Sequence, residues 1–270
     1  MNEYFWNANP CGGIWTNYKS YFEWIKHTEP YAFEIINHYD WAGKHVLDVG
    51  CGQGAVLNYL AQFGTTMFGI DLSFFSLQRS AMGAYELGYS GNVHLALGDA
   101  ETLPIRNCCF DVVISFGVLH HTLNTQKGIN EIWRVLKPGG LAIVMLYRTG
   151  NPKWWMTKVI RRISKLIDLI SRKPNTIVRW LERCIKYEND VRGTALYELF
   201  GCPILKAYSN KQAQDMFNLF SEVFISNHQP GFRRMVDIIP LLRPFESYLS
   251  QFDQKVANLW GFYQVIEAKK

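Results

Sequence analysis

The sequence has no hydrophobic stretch long enough to cross a membrane. Its longest apolar runs are residues 112–119 and 141–147, whereas a membrane-spanning helix needs about 20 apolar residues. Residues 1–6 also lack the basic-then-apolar order of a signal peptide. The sequence therefore predicts a cytoplasmic protein.

Paired cysteines are also missing. The six cysteines include no Cys-x-x-Cys pair and no zinc-ligand spacing. A chain of 270 residues with 48% hydrophobic residues can bury a core without disulfides. We therefore expect reduced thiols, no metal site and one large domain with insertions. The cysteines are Cys11, Cys51, Cys108, Cys109, Cys184 and Cys202.

Acidic residues are scarce in one window of the sequence, residues 153–186. This window holds ten Lys and Arg residues against two acidic residues, although the whole chain has a net charge of only +5. The positive charge is therefore concentrated in one segment, and partners that bind through charge should be sought there.

What the sequence does have is a glycine-rich loop after a short apolar run. The run 46–49 is typical of a buried strand, and Gly50, Gly52 and Gly54 predict a tight turn into a helix that begins near residue 55. These glycines let a ligand approach the backbone, and the N–H groups at the start of the helix can bind it. The pattern indicates a cofactor loop.

The loop fits two cofactor templates. Gly50-x-Gly52-x-x-Ala55 is the dinucleotide fingerprint, whereas Asp48-x-Gly50-x-Gly52-x-Gly54 is the loop that binds S-adenosylmethionine. A carboxylate at Asp48 suits the cationic amino end of S-adenosylmethionine better than a pyrophosphate, which it would repel. The loop alone leaves both templates open.

Strands and helices alternate in the middle of the chain. We predict strands at 45–49, 66–70, 92–97, 111–116 and 141–147, and helices at 55–63, 74–87 and 125–136. This alternation predicts a doubly wound α/β fold, a mostly parallel sheet with helices on both faces. Ligands bind such sheets at the carboxyl ends of the strands, which is where Asp48, Asp71, Asp99 and Ser115 fall.

Two of these acids have a specific predicted use. Asp71 ends the second strand, where a carboxylate can accept hydrogen bonds from both hydroxyls of an adenosine ribose. This use is common to both cofactors. Asp99 follows the third strand, where its side chain can accept from the adenine amino group while the next backbone N–H, that of Ala100, donates to a ring nitrogen.

Together, the motifs resemble those of the class I S-adenosylmethionine-dependent methyltransferases, in the order and spacing of that family. The likeness spans residues 43–147. Its Leu-His-His and Pro-Gly-Gly segments look most like the small-molecule branch that includes quinone-biosynthesis enzymes. The matching segments are VLDVGCGQG at 46–54, GIDLS at 69–73, GDAETLP at 98–104, FDVVISFGVLHH at 110–121 and LKPGG at 136–140.

The resemblance implies a Rossmann-like sheet of seven strands. Its last strand, near 262–267, would run antiparallel beside a hairpin partner at 223–228. Asp48 stands where many relatives have Glu, and either carboxylate would serve. The implied cofactor contacts are Gly50, Gly52 and Gly54 along the methionine moiety, Asp71 on the ribose, Leu72 on adenine, Asp99 and Ala100 at the adenine edge, and Ser115 and Phe116 after the fourth strand.

The core spans residues 43–147, and the sequence suggests three additions to it. An aromatic arm at 1–42 is predicted to pack on the core or to close as a lid. The first insertion is predicted at 148–208. The core resumes at 209–270 and contains the second insertion, at 230–260. Together with the arm, the two insertions are expected to build the substrate pocket.

Within the first insertion, residues 154–170 carry apolar and basic residues at helical spacing behind two tryptophans. This pattern is typical of a helix that caps the domain or that contacts a membrane surface or a lipophilic substrate. Nucleic acid is the less favoured partner, because basic and aromatic residues are not interleaved there.

The predicted chemistry is a metal-free, in-line methyl transfer to O, N or C of a small aromatic or lipophilic acceptor. Such a transfer needs mainly alignment of the acceptor, and a hydroxyl acceptor also benefits from a general base. His120 and His121 are the best candidates, because imidazole titrates near physiological pH. Tyr147 and Tyr18 are further candidates to contact acceptor or cofactor. The sequence shows neither the carboxylate cluster of a metal-dependent mechanism nor the close cysteines of a radical one.

Three alternatives stay open at this stage. An RNA methyltransferase would use residues 153–186 to bind phosphates, and its RNA binding would weaken steeply with salt. A non-catalytic module would bind S-adenosylmethionine without turnover. A nicotinamide oxidoreductase would leave Asp99 and the turn at 138–140 without a role.

Overall fold

A computed structural model describes residues 2–13, 15, 17–173, 176–177, 180, 202–233 and 240–270. The strands are β1 (His45–Val49), β2 (Thr66–Asp71), β3 (Val93–Leu97), β4 (Phe110–Phe116), β5 (Leu136–Tyr147), β6 (Glu222–His228) and β7 (Tyr263–Lys269). The α-helices are α1 (Asn2–Ala8), α2 (Tyr18–Thr28), α3 (Pro30–Ile36), α4 (Ala55–Ala61), α5 (Phe74–Glu86), α6 (Thr125–Val135), α7 (Pro152–Ser171), α8 (Asn210–Met216) and α9 (Glu246–Trp260). Short 3₁₀ turns cover Leu119–His121 and Pro240–Phe245.

The strands form one seven-stranded sheet in the order β3-β2-β1-β4-β5-β7-β6. Neighbouring strands among β1 to β5 are parallel, and β7 runs antiparallel to both β5 and β6. The predicted α/β class, the seven strands and the antiparallel last strand with its hairpin partner are therefore confirmed. The strand order reverses between β1 and β4, and a ligand crevice is expected at that point.

The boundary between α6 and β5 differs from the prediction. The helix ends at Val135 and β5 begins at Leu136, five residues before the predicted strand start at 141. Leu136 pairs with Phe110, and the register shifts before Val112 pairs with Leu141. The Pro-Gly-Gly turn lies in this interval and bonds to the chain end, because the N–H of Gly139 donates to the carbonyl of Lys270 at 3.0 Å.

Alternating side chains of the central strands build a core on each face of the sheet. Val46 and Ile114 belong to the core on one face, whereas Leu47 and Val113 belong to the core on the other, and all four are fully buried. This alternation follows from the two-residue period of a strand. Because both faces of the sheet are covered, functional groups are confined to the ends of the strands.

The N-terminal arm is attached to the glycine loop by hydrogen bonds. The Tyr18 hydroxyl donates to the carbonyl of Gly54 at 2.8 Å, and the Gln53 amide donates to the carbonyls of Cys11 and Gly13, each at 2.8 Å. Burial raises the pKa of the Tyr18 hydroxyl. The arm therefore lies over the carboxyl ends of the strands, although its action as a lid stays a prediction.

Helix α7 occupies the predicted amphipathic segment. The side chain of Asn151 caps it by accepting from the N–H of Lys153, and Trp154 is buried while Trp155 is exposed. Within the described part of the chain, no helix combines the length and the apolar character needed to span a membrane. Part of the basic window, Arg179, Arg183 and Lys186, lies outside the described residues.

Candidate active site

A cavity of about 250 Å³ opens at the carboxyl ends of β1, β2 and β4, where the strand order reverses. We divide it into a cofactor half and an acceptor half. The cofactor half is lined by Asp48, Gly50, Cys51, Gly52, Asp71, Leu72, Gly98, Asp99, Ala100, Phe116, Gly117 and Val118. The acceptor half is lined by Trp6, Trp24, Glu29, Tyr31, His121, Met145, Tyr147, Lys153, Leu205, Phe262 and Tyr263.

Asp71 is held rigidly at the end of β2. One carboxylate oxygen accepts from the N–H of Gly52 at 2.9 Å, and the other accepts from the N–H of Ser73 at 2.8 Å. Each oxygen keeps a further lone pair for a ligand hydroxyl. Burial raises the pKa of Asp71, and the backbone hydrogen bonds oppose that rise. The arrangement can accept two hydroxyls of a ribose at once.

Gly50 and Gly52 of the glycine loop line the cavity, and the clearest open space lies at Gly52. A side chain at Gly52 would meet nothing within 4 Å, so the space above this backbone is open. At Gly54, by contrast, a Cβ atom would lie 2.2 Å from the hydroxyl oxygen of Ser80. Gly54 has a φ of 84° as the N-cap of α4, and it is not among the lining residues. Its position in the motif therefore serves the turn and the packing.

Asp48 lies beside the loop in a site that favours positive ligands. Burial and then the neighbouring charge of Asp71 raise the pKa of Asp48 to about 7. A nearby cation stabilises the ionised form of such a carboxylate. The cationic amino end of S-adenosylmethionine is therefore compatible with this part of the cavity, whereas a pyrophosphate would add negative charge.

Asp99 and Ala100 lie together at the far end of the cofactor half. The side chain of Asp99 accepts from the N–H of Glu101 at 2.8 Å, which fixes the carboxylate in the turn after β3. Both Asp99 and Ala100 line the cavity, and so do Leu72 and Phe116. These positions and the open space over Gly52 fit an adenosine group.

Ser115 and Tyr18 do not reach the cavity. Ser115 is fully buried and its hydroxyl donates to the carbonyl of Val49 at 3.0 Å, so it links two strands. Tyr18 is engaged with Gly54 behind the loop. Neither side chain is among the described residues that line the cavity, so their contact with the cofactor stays a prediction that this geometry does not support.

His120 lies behind the cavity wall. Its ring is fully buried between Tyr147, with ring centroids 3.8 Å apart, and His121, at 4.2 Å. Burial and then His121 lower the pKa of His120 well below its usual range. His120 does not line the cavity and supports its wall, so its role as a base stays a prediction, and the geometry favours His121 instead.

His121 does line the cavity, and its ring is oriented by the segment that follows the first insertion. Its Nδ1 lies 2.9 Å from the carbonyl oxygen of Ile204 and 3.2 Å from Sγ of Cys202. The backbone of the same turn is fixed, since the N–H of Lys206 donates to the carbonyl of His120 at 3.0 Å. The structure thus brings His121 and Tyr147 into one wall.

Aromatic rings dominate the acceptor half. The ring of Trp6 meets that of His121 edge-on at 5.2 Å, and the ring of Tyr147 lies 4.5 Å from that of Phe262. The sequence pattern did not identify Glu29, Lys153, Phe262 and Tyr263 as site residues. Trp6 belongs to the aromatic arm and Lys153 to the basic window, yet nothing in the sequence pairs them with His121.

Among the described residues, no group of three or more His, Cys, Asp or Glu side chains is arranged to hold a metal ion. The absence of metal from the mechanism stays a prediction.

Comparison with known proteins gives a family match over the same strands. A family model described as a methyltransferase domain matches residues 47–144. A ubiquinone biosynthesis O-methyltransferase from Azoarcus sp. (strain BH72) is 29% identical over 210 residues, which cover 75% of this chain and 88% of the relative. The protein of the same name from Salmonella arizonae is 28% identical over 159 residues, covering 56% of this chain and 65% of the relative.

Solved structures share the fold at low sequence identity. A putative sarcosine dimethylglycine methyltransferase from Galdieria sulphuraria has a TM-score of 0.58 at 13% identity, covering all of this chain and 95% of that one. Haemonchus contortus phosphoethanolamine N-methyltransferase 2, solved with S-adenosyl-L-methionine, also scores 0.58, at 18% identity, covering 92% of this chain and 56% of that one. The family model spans the glycine loop and the strand-end aspartates Asp48, Asp71 and Asp99, so residues 47–144 are a methyltransferase domain and the chain is an S-adenosylmethionine-dependent methyltransferase.

Proposed function

We propose that this methyltransferase acts on a hydroxyl oxygen of a small aromatic acceptor, with His121 as the general base. The contact between Nδ1 of His121 and the carbonyl of Ile204 carries the proposal. A carbonyl can only accept, so Nδ1 carries the proton of the neutral ring and Nε2 keeps the lone pair. A base with an orienting partner on a cavity wall is what removal of a hydroxyl proton requires.

The aromatic wall supports an aromatic acceptor. Trp6, Tyr147 and Phe262 offer ring faces and edges against which a flat molecule can pack. The Azoarcus and Salmonella relatives are O-methyltransferases by name, which favours oxygen over nitrogen or carbon.

The remaining residues act by position. When bound, S-adenosylmethionine supplies the electrophilic methyl group. We assign its adenosine part to Asp71, Leu72, Asp99 and Ala100, and its amino acid part to Asp48 and the backbone at Gly50 and Gly52. Holding the acceptor in line with such a group can supply on the order of 7–11 kcal/mol. We propose that no metal takes part, so added chelator should leave the rate unchanged.

The test compares two acceptors of matched shape, catechol and ortho-phenylenediamine. Each is incubated with S-adenosylmethionine, and methylated product is measured by mass spectrometry. We expect methylation of catechol and little or none of the diamine. Preferred methylation of the diamine would overturn the oxygen assignment. Cofactor binding without turnover on any acceptor would favour the non-catalytic module.

We also propose the domain roles and one surface contact. The arm at 1–42 and the insertions at 148–208 and 230–260 would enclose the acceptor. On α7, Trp155, Leu169 and Ile170 are 62%, 75% and 74% exposed. This apolar surface beside basic residues suits the boundary of an anionic bilayer. Cosedimentation with anionic but not zwitterionic vesicles is expected, and loss of this difference in Ile170→Glu would support the contact.

A further inference from the structure

We propose that the hydroxyl of Tyr21, on the N-terminal arm, donates a hydrogen bond to the carboxylate at the amino acid end of S-adenosylmethionine. This inference rests on the part of the proposed function that assigns that end of the cofactor to Asp48. It adds a cofactor-binding residue outside the matched domain at 47–144 and gives the arm a part in cofactor binding.

Tyr21 is held at the cavity wall by the first turn of α2. Tyr18, at the start of this helix, donates to the carbonyl of Gly54, and Tyr21 follows three residues later on the same face. The two tyrosine rings lie 6.0 Å apart. Gly12 packs closely on the Tyr21 ring, because a Cβ atom at Gly12 would lie 2.8 Å from the ring carbon Cε2. Tyr21 is only 5% exposed, and it lines the cavity.

The Tyr21 hydroxyl is close to the cofactor half. Burial first, and then negative charge on Cys11, Tyr18, Cys51 and Asp48, raise the pKa of Tyr21 well above its usual range. Two of these neighbours, Cys51 and Asp48, line the cofactor half. No described residue forms a hydrogen bond with the Tyr21 hydroxyl. The hydroxyl therefore keeps its proton and can donate it to a ligand.

The glycine loop has few N–H groups to offer to a carboxylate. The N–H groups of Gly50 and Cys51 both donate to the carbonyl of Ile70, at 2.6 and 3.1 Å. The N–H of Gly52 donates to Asp71. No described residue that lines the cofactor half is a Lys or Arg. A carboxylate bound there lacks a cationic partner and these backbone donors, and a phenol hydroxyl is a neutral donor that meets this need.

The position of Tyr21 beside Asp48 fits the geometry of an amino acid. The ammonium and the carboxylate of S-adenosylmethionine are carried by one carbon atom, so the groups that bind them must be neighbours. Asp48 suits the ammonium, and the Tyr21 hydroxyl is near enough to Asp48 for that charge to act on it. The opposite order would direct the carboxylate at Asp48, and the two negative charges would repel each other.

A purely structural role for Tyr21 predicts something different. Tyr21→Phe keeps the ring that packs on Gly12 and lies beside Tyr18. If only the ring matters, the variant should bind every ligand as wild type does. A hydrogen bond to the carboxylate instead changes the ratio between two ligands that differ only in that group. The matched ligands are S-adenosylhomocysteine and its decarboxylated analogue, S-adenosyl-3-thiopropylamine.

The experiment measures calorimetric binding of both ligands to the whole chain without an acceptor. Tyr21→Phe should bind S-adenosylhomocysteine about 10- to 100-fold less tightly, because a hydrogen bond to a charged group is lost. Its affinity for the decarboxylated analogue should be unchanged, which also shows that the variant is folded. The exposed Tyr85→Phe on α5 should match wild type with both ligands.

Three results would overturn the inference: unchanged binding of S-adenosylhomocysteine in Tyr21→Phe, equal weakening of both ligands in that variant, or no binding of S-adenosylhomocysteine to wild type. Because no acceptor is present, the outcome is separate from that of the proposed acceptor chemistry. A selective loss in Tyr21→Phe, together with preferred methylation of ortho-phenylenediamine, would uphold the carboxylate contact and refute the oxygen assignment.

Discussion

The two halves of the cavity are built in different ways. In the cofactor half, residues at successive strand ends are fixed by backbone N–H groups, as when Gly52 donates to Asp71, 19 residues along the chain. In the acceptor half, the partners are far apart in sequence, as when His121 meets Ile204, 83 residues away. The first half follows from the sheet, whereas the second depends on how the arm, α7 and β7 pack around it.

The chemistry and the specificity of the molecule are therefore encoded in separate parts of the chain. The elements that pack around the acceptor can be altered without altering the residues of the cofactor half. Mutations in the two halves should therefore affect different measurements.

The largest effect is expected for His121→Gln in the acceptor half. Loss of the base should lower kcat for a catechol acceptor by on the order of 10²–10⁴-fold. Affinity for S-adenosylmethionine, measured by calorimetry, should stay within about twofold of wild type because His121 is outside the cofactor half. The exposed His38→Gln is the matched control. A large loss of cofactor affinity in His121→Gln would break the separation.

The next effect is expected for Asp71→Asn in the cofactor half. Hydrogen bonds to a charged group are worth about 1.5–3 kcal/mol, so cofactor affinity should fall roughly 10- to 100-fold. Catechol affinity, measured with S-adenosylhomocysteine at saturation, should be unchanged. The control is Asp215→Asn on α8, and unchanged cofactor binding in Asp71→Asn would remove the proposed ribose contact.

A smaller effect concerns pH and Asp48, whose folded-state pKa is about 7. In the unfolded chain, Asp48 titrates at the lower pKa of an ordinary Asp. Between that pKa and about 7, the folded protein therefore holds one proton that the unfolded chain has lost. Stability without ligand should be full below the lower value and should be lost as the pH rises through about 7, by at most about 1.4 kcal/mol per pH unit.

Melting temperatures measured against pH test this expectation. Asp48→Asn should flatten the curve in that window, because the neutral amide has no proton to lose, whereas the exposed Asp40→Asn should keep the wild-type slope. A variant curve as steep as that of wild type would assign the proton to another group.

The smallest effect is expected for Tyr18→Phe. Removing the hydroxyl that donates to Gly54 should cost about 1 kcal/mol of unfolding free energy. Denaturant unfolding measures this, with the exposed Tyr85→Phe as the control. No change relative to Tyr85→Phe would mean that this hydrogen bond adds nothing to the attachment of the arm.

The sequence was sufficient for the fold and for most of the cofactor half. Apolar runs with a period of two predict buried strands. The carboxyl ends of parallel strands lie side by side, so polar residues at those ends, Asp48, Asp71 and Asp99, are predicted to lie together. The same logic does not show where the Ser115 hydroxyl points, and in the structure it donates to the carbonyl of Val49.

The acceptor half could be predicted only in part. The sequence predicts His120 and His121 alike as bases, because the 3₁₀ turn decides which of the two adjacent rings faces the cavity. Trp6, Lys153 and Phe262 line one cavity because of tertiary packing, which leaves no periodic or motif signal along the chain. The aromatic content of the arm indicates an aromatic pocket but does not say which rings line it.

The most direct test of the account is a crystal structure of the enzyme with S-adenosylhomocysteine and catechol. We predict adenosine between Asp71 and Asp99, and a catechol oxygen at a hydrogen-bond distance of about 2.6–3.2 Å from Nε2 of His121. A catechol oxygen without contact to His121, or a catechol bound outside the aromatic wall, would contradict the proposed base and the division of the cavity.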